Sequence, residues 1–240
     1  MSIANLYSLL NSPFYLEEST GKSFFSFLLT AVNNGFETLA NETLAIETNL
    51  VSDKSAVNTE GAVAVVDLKN IIVKYDSYFG QVGTQSYIKH LNSLKNNDSI
   101  SAVVLDIDSA GGQVSGTPEF YDYLKSYPKP IVAYTAGSMA SAAYYIGNAS
   151  SYIVANKRAQ SIGAIGAYAT LVDFSGIASN QGAAIHTIYA TKSTEKNKSQ
   201  REVMDGNYDS FIKNELDPQV DEFISDMKAT RPGIDANAFK

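Results

Sequence analysis

Between residues 61 and 160 short apolar runs rich in Val and Ile alternate with segments of helical spacing, and this alternation constrains the fold more than any other feature. Ala62-Val63-Ala64-Val65-Val66-Asp67-Leu68 has the length and β-branched content of a buried parallel strand. Tyr87, Ile88, Leu91 and Leu94 then mark one face of a helix with Thr84 as its cap, and a strand follows over 102–107. Thr117-Pro118-Glu119 reads as cap, first-turn proline and first-turn acid of a helix that runs through Phe120, Tyr121 and Leu124 and stops before Pro128. A strand over 130–135, an Ala-rich helical segment after Ser138 and a strand at Tyr152-Ile153-Val154-Ala155 extend the rhythm. Ile162–Leu171 is a further apolar stretch, broken by Gly163 and Gly166, and a strand over 184–190 leads into a basic loop. Such a chain is expected to form an α/β fold with a mostly parallel sheet, right-handed crossovers and a site built from loops at the strands' carboxyl ends.

The flanking regions differ in character. Residues 1–60 read as an arm and linker, with helical spacing at Phe25, Leu28, Leu29 and Val32 and a polar stretch over 51–60, whereas 61–240 read as the domain. Toward the other end Val203, Phe211, Ile212, Leu216, Val220, Phe223, Ile224 and Met227 predict two amphipathic helices, the second restarting at Asp217-Pro218.

Composition removes several classes of function. A net charge of −7 argues against a nucleic-acid partner, although Lys192, Lys196, Lys198 and Arg201 form a local basic cluster. With no cysteine the chain has neither disulfides nor thiolate chemistry, and its two histidines, His90 and His186, lack ligand spacing. No metal and no cofactor are expected. The most apolar stretch near the start, Phe24–Val32, is far shorter than the roughly 20 residues that span a bilayer, so no membrane span is expected.

Two loops carry possible chemistry. Gly137-Ser138-Met139-Ala140-Ser141-Ala142-Ala143 follows a strand and offers Ser141, with Ser138 as a rival, as a nucleophile. Ser109-Ala110-Gly111-Gly112 ends another strand in paired glycines, so Gly111 or Gly112 can aim a backbone N–H at a developing oxyanion beside the amide of Ala142. A glycine pair after a strand is also an ordinary tight turn, and a small serine also serves helix packing. A serine hydroxyl needs a base. His90 falls on an amphipathic helix and His186 in an alternating strand, whereas lysine can serve where burial lowers its pKa from about 10.4 toward neutrality. The loop 190–198 supplies Lys192, Lys196 and Lys198.

The strings Asp106-Ile107-Asp108-Ser109-Ala110-Gly111-Gly112, Ala140-Ser141-Ala142-Ala143-Tyr144-Tyr145-Ile146 and Ser161-Ile162-Gly163-Ala164-Ile165-Gly166 resemble the ordered signatures of the signal peptide peptidase A family of serine–lysine peptidases. The opening Leu10-Asn11-Ser12-Pro13-Phe14-Tyr15-Leu16 is similar to that of the phage prohead (minor capsid) proteases within it. The resemblance implies a Clp protease/crotonase-like fold, Ser141 as nucleophile and Ser161 as a hydrogen-bond partner of the base. It also implies a general base from the stretch Ser193-Thr194-Glu195-Lys196, hence Lys196, with Lys192 and Lys198 as alternatives. A peptide or protein substrate, a homo-oligomeric ring, and phage capsid or scaffold partners in the bacterial cytoplasm or the prohead follow from the same resemblance. Three departures stand beside it. Thr194 replaces the family's glycine, Ala110 its proline, and the family's Gly-Leu-Ile/Val-Asp element is not reached after Arg231-Pro232-Gly233, from which a truncated C-terminal end is expected. An inactive capsid-assembly module that keeps the fold is the alternative, and a crotonase-like thioester enzyme a third reading.

Overall fold

The apolar runs become the central layer of the protein. A computed structural model describes residues 13–16, 23, 61–76, 81–171, 173, 175–180, 182, 184, 186–233 and 235. The helical spacing at 25–32 and the polar stretch over 51–60 lie outside the described residues. In chain order the elements are β1 (Phe14–Leu16), β2 (Ala62–Lys69), α1 (Thr84–Lys95), β3 (Ile100–Asp108), β4 (Gly111–Gln113), α2 (Thr117–Lys125), β5 (Ile131–Thr135), β6 (Ser138–Ala140), α3 (Ala142–Asn148), β7 (Tyr152–Ala155) and β8 (Ser161–Gly163). The helices α4 (Ser175–Asn180), α5 (Lys198–Met204), α6 (Asp209–Phe211) and α7 (Asp217–Thr230) follow.

Strands β2, β3, β5 and β7 form a parallel sheet in that order, as the alternation predicts. The buried residues of β2 and β3, among them Val66, Leu68, Val103, Leu105 and Ile107, share one core with Leu91 of α1, Phe120 and Leu124 of α2, and Ala142, Ala143 and Ile146 of α3. Each large side chain so enclosed contributes about 1.5–3 kcal/mol relative to exposure. Two small strand pairs decorate this layer: β1 with β4, antiparallel, and β6 with β8, parallel. The described part of the arm, Pro13–Leu16, is thus built into the domain, and Phe14 and Tyr15 are fully buried.

Local expectations are corrected at three places. Gly83, not Thr84, caps α1, because a Cβ there would meet the Tyr75 carbonyl carbon at 2.5 Å, and the Gly83 amide donates to Asp76 Oδ1 at 2.8 Å. Gly116 caps α2 at φ 93°, while the Thr117 hydroxyl turns back to donate to the Gln113 carbonyl at 2.7 Å. The predicted strand over 184–190 is not formed among its described residues; Ile188 and His186 are exposed, and Tyr189 lies instead against the Arg201 guanidinium at 4.5 Å. At the C-terminal end the expected restart is present: α6 passes through a π-helical turn, Ile212–Leu216, and α resumes at Asp217 with Pro218 in the first turn, where its missing N–H costs nothing. No helix among the described residues is long and apolar enough to cross a membrane.

Candidate active site

Ser141 sits where β6 turns into α3, at φ 55° and ψ −118°. That backbone is rarely adopted by a residue with a Cβ, and such strain persists only where the surroundings impose it. Both flanks of β6 do so. On one side Ser109 N donates to Ser138 O at 2.8 Å and Ala140 N to Ser109 O at 3.1 Å; on the other β8 pairs in register, Ser138 with Ser161 and Ala140 with Gly163. The Ser141 amide then donates to Gly163 O at 2.6 Å. A serine held on a sharp strand-to-helix turn, ahead of a helix whose first amides have no partner within the helix, has the backbone geometry of a nucleophile elbow. Ser141 is 2% exposed, with its helix packed on the core through Ala142, Ala143 and Ile146.

The glycine loop lies directly against this turn. A Cβ on Gly111, whose φ is 106°, would stand 3.0 Å from both Ser141 Cβ and Ala142 N, and 2.3 Å from the carbonyl oxygen of Tyr15. A Cβ on Gly112 would fall 1.9 Å from Ile72 O, so neither position tolerates a side chain. The Gly111 amide donates to Ser109 Oγ at 3.1 Å, and Gly112 stands opposite Tyr15 in the β1–β4 register. Gly111, with Gly112 beside it, is therefore brought against Ser141 and Ala142, whereas Ser161 lies opposite Ser138 at the other end of β6 and it is Gly163 that meets Ser141.

Two residues that the sequence reading did not single out organise the site. Asp108 accepts from the Ser138 amide at 2.9 Å and fills the space that any side chain at Gly137 would need, at 2.2 Å. The hydroxyl of buried Ser109 accepts from Gly111 N and donates to Asn70 O, which pins the glycine loop to the end of β2. Asp108 and Ser109 stand inside a quoted motif; their signal was a polar pair at the end of an apolar strand.

The candidate lysines are on the surface. Lys192 and Lys196, ahead of α5, and Lys198, its first residue, are all exposed; Lys196 N donates to Ser193 O at 3.2 Å, and Lys198 Nζ pairs with Glu195 at 3.0 Å. The rival Ser138 starts β6, its amide held by Asp108, away from the strained turn. His90 is half-buried on α1, where desolvation pushes its imidazole below the ordinary value.

Behind the serine an aromatic cluster ties α3 to α7. Tyr145 stacks on Phe223 at 4.3 Å between centroids and 11° between planes, Tyr15 lies 5.0 Å from Phe223, and Tyr121 meets Tyr145 edge-on at 5.1 Å. The Tyr145 hydroxyl donates to Asp226 Oδ2 at 2.5 Å; burial and then that bond push the phenol well above its ordinary value.

Comparison with known proteins agrees with the motifs. A Methanocaldococcus jannaschii protein named as a protease is 33% identical over 44% of this chain and 34% of its own length. Protease 4 of Salmonella typhi is 27% identical over 51% of this chain and 20% of its own. The chain thus spans about a third or less of the curated relatives it matches. Among solved structures, a membrane-bound stomatin-specific protease overlays 43% of this chain and 47% of its own with 18% identity and a TM-score of 0.37. An enoyl-CoA hydratase from Polaromonas overlays 42% and 47%, with 21% identity and a TM-score of 0.32. Residues 62–160, which hold the parallel sheet, match the Clp protease family, in line with the expected Clp protease/crotonase-like α/β fold. Residues 124–239 match peptidase family S49, the signal peptide peptidase A family, and the two matches overlap across Leu124–Gln160, the stretch that contains Ser141.

Proposed function

We propose that this chain is a serine endopeptidase in which Ser141 attacks the substrate carbonyl and a lysine of the 190–198 segment, Lys196, acts as general base. The observation that carries the reading is the strained turn at Ser141, φ 55°, closed against Gly111 and leading directly into the first turn of α3 at Ala142. This reading requires the exposed segment bearing Lys196 to move over the serine, where burial would favour the neutral form of its amine. Lys196 Nζ takes the Ser141 Oγ proton as the oxygen bonds to the carbonyl carbon, and Ser161 orients the amine. The oxyanion is met by the Ala142 amide and a glycine-loop amide, that of Gly112 or that of Gly111 once it leaves Ser109 Oγ. The leaving amine departs with the lysine's proton, and water then hydrolyses the acyl-enzyme by the same steps. The opening Leu10–Leu16 motif supports a setting in phage head assembly within the bacterial cytoplasm, with capsid or scaffold protein as substrate and a homo-oligomeric ring as the working form.

A second reading, an inactive capsid-assembly module, is favoured by the exposure of all three candidate lysines. A fluorophosphonate probe separates the two. Labelling of the wild type, abolished in Ser141→Ala and reduced at least a hundredfold in one of Lys192→Met, Lys196→Met or Lys198→Met, supports the peptidase and identifies its base. Absence of labelling from pH 7 to 10, in the wild type and equally in Tyr15→Ser, supports the inactive module.

A further inference from the structure

The segment Pro13–Leu16 lies as an extended strand between two edges of the domain, beside Ser141. On one edge Phe14 N donates to Tyr168 O at 2.8 Å and Tyr168 N to Phe14 O at 3.1 Å. On the other, Val114 N donates to Pro13 O at 3.2 Å, and Tyr15 and Leu16 stand opposite Gly112 and Gly111. β1 is thus the middle strand of an antiparallel ribbon whose outer members both belong to the domain. The Tyr15 carbonyl oxygen and Ser141 Cβ flank one point, the place a Gly111 side chain would occupy, at 2.3 and 3.0 Å. Backbone of the arm therefore lies against the serine.

Side chains complete the fit. The fully buried Tyr15 ring packs on Phe223 and Tyr145, with centroids 5.0 and 5.8 Å away, and its hydroxyl donates to Gln219 O at 2.7 Å. Phe14 and Leu16 are buried as well. Main-chain pairing on both edges with an anchored side chain in a pocket is how an extended peptide is recognised by strand addition.

We propose that Phe14–Leu16 is a tethered surrogate substrate: it fills a peptide-binding channel between β4 and Tyr168, keeps Ser141 closed, and marks that channel as selective for an extended segment with an aromatic side chain in the Tyr15 pocket and apolar neighbours. Its effect on turnover rests on the peptidase reading; the occupancy of the channel does not. Displacing the strand frees the edges of Gly112 and Tyr168 for an incoming chain, so occupancy and accessibility are mutually exclusive.

The test uses the full chain, wild type and Tyr15→Ser, with a fluorophore-labelled peptide of residues 12–18, Ser-Pro-Phe-Tyr-Leu-Glu-Glu. Anisotropy is expected to show the peptide binding Tyr15→Ser at least tenfold more tightly than wild type, and the same peptide with serine for its tyrosine failing to bind. Fluorophosphonate labelling of Tyr15→Ser is expected to be at least tenfold faster than wild type and to be slowed by the peptide. Hydrogen exchange of the wild type covers the case in which the variant does not fold: the Phe14 and Tyr168 amides should exchange at least a hundredfold faster than those of Val103–Ile107. Exchange of Phe14 and Tyr168 only at the rate of the β3 core, or equal peptide binding by both proteins, overturns the proposal and makes β1 a permanent strand. Peptide binding to Tyr15→Ser without labelling of either protein supports the channel and overturns the peptidase reading instead.

Discussion

At the scale of single residues, Ser141 carries the account because its backbone is costly. A non-glycine residue in this region is disfavoured by about 1–3 kcal/mol, and the bond from the Ser141 amide to Gly163 O and the Ser109–β6 bridge hold it there. Glycine adopts the same angles freely. Ser141→Gly should therefore be about 1 kcal/mol more stable than Ser141→Ala in urea unfolding, although both lack the hydroxyl. A Ser141→Gly protein less stable than Ser141→Ala would mean that the turn is unstrained.

At the scale of elements, legibility tracked side-chain signal. The strands β2, β3, β5 and β7 were readable because Val, Ile and Leu in short runs leave few alternatives, and Pro118 and Pro218 mark helix starts by what they cannot donate. The three-residue strands β6 and β8 are made of Ser, Met, Ala, Ile and Gly, whose periodicity says nothing; long-range bridges to Ser109 and Gly163 make them strands. β1 was illegible as part of the domain for the same reason, since its partners, Gly112 and Tyr168, are far along the chain. The serine and the glycine pair were legible as a local pattern. The Tyr15 pocket, assembled from β1, α3 and α7, was not.

The docking of α7 yields a prediction at this scale. Partial burial, then repulsion from Asp226, Asp122 and Glu119, raises the Glu222 carboxyl above its ordinary 4.5. A group with a raised folded value stabilises most when protonated in both states and loses that contribution as pH rises through the raised value. Urea midpoints of wild type and Glu222→Gln should therefore agree below about pH 4.5 and separate above it, the variant becoming the more stable, until a plateau is reached. A gap that narrows as pH rises would contradict the assignment.

At the scale of the whole molecule, a parallel sheet presents two loops from the carboxyl ends of β3 and β5 to each other, and β1 and α7 pack beside them. The sheet supplies rigidity; the meeting of Asp108, Ser109 and β6 supplies the turn; the three candidate lysines are exposed on the surface. The central claim, that this assembly makes one serine nucleophilic, is tested most directly by treating the full chain and its Tyr15→Ser variant with a fluorophosphonate and locating the adduct by peptide mapping. The account predicts a single phosphonylated residue, Ser141, formed faster in the variant. An adduct on Ser138 instead, or no adduct in either protein from pH 7 to 10, would contradict it.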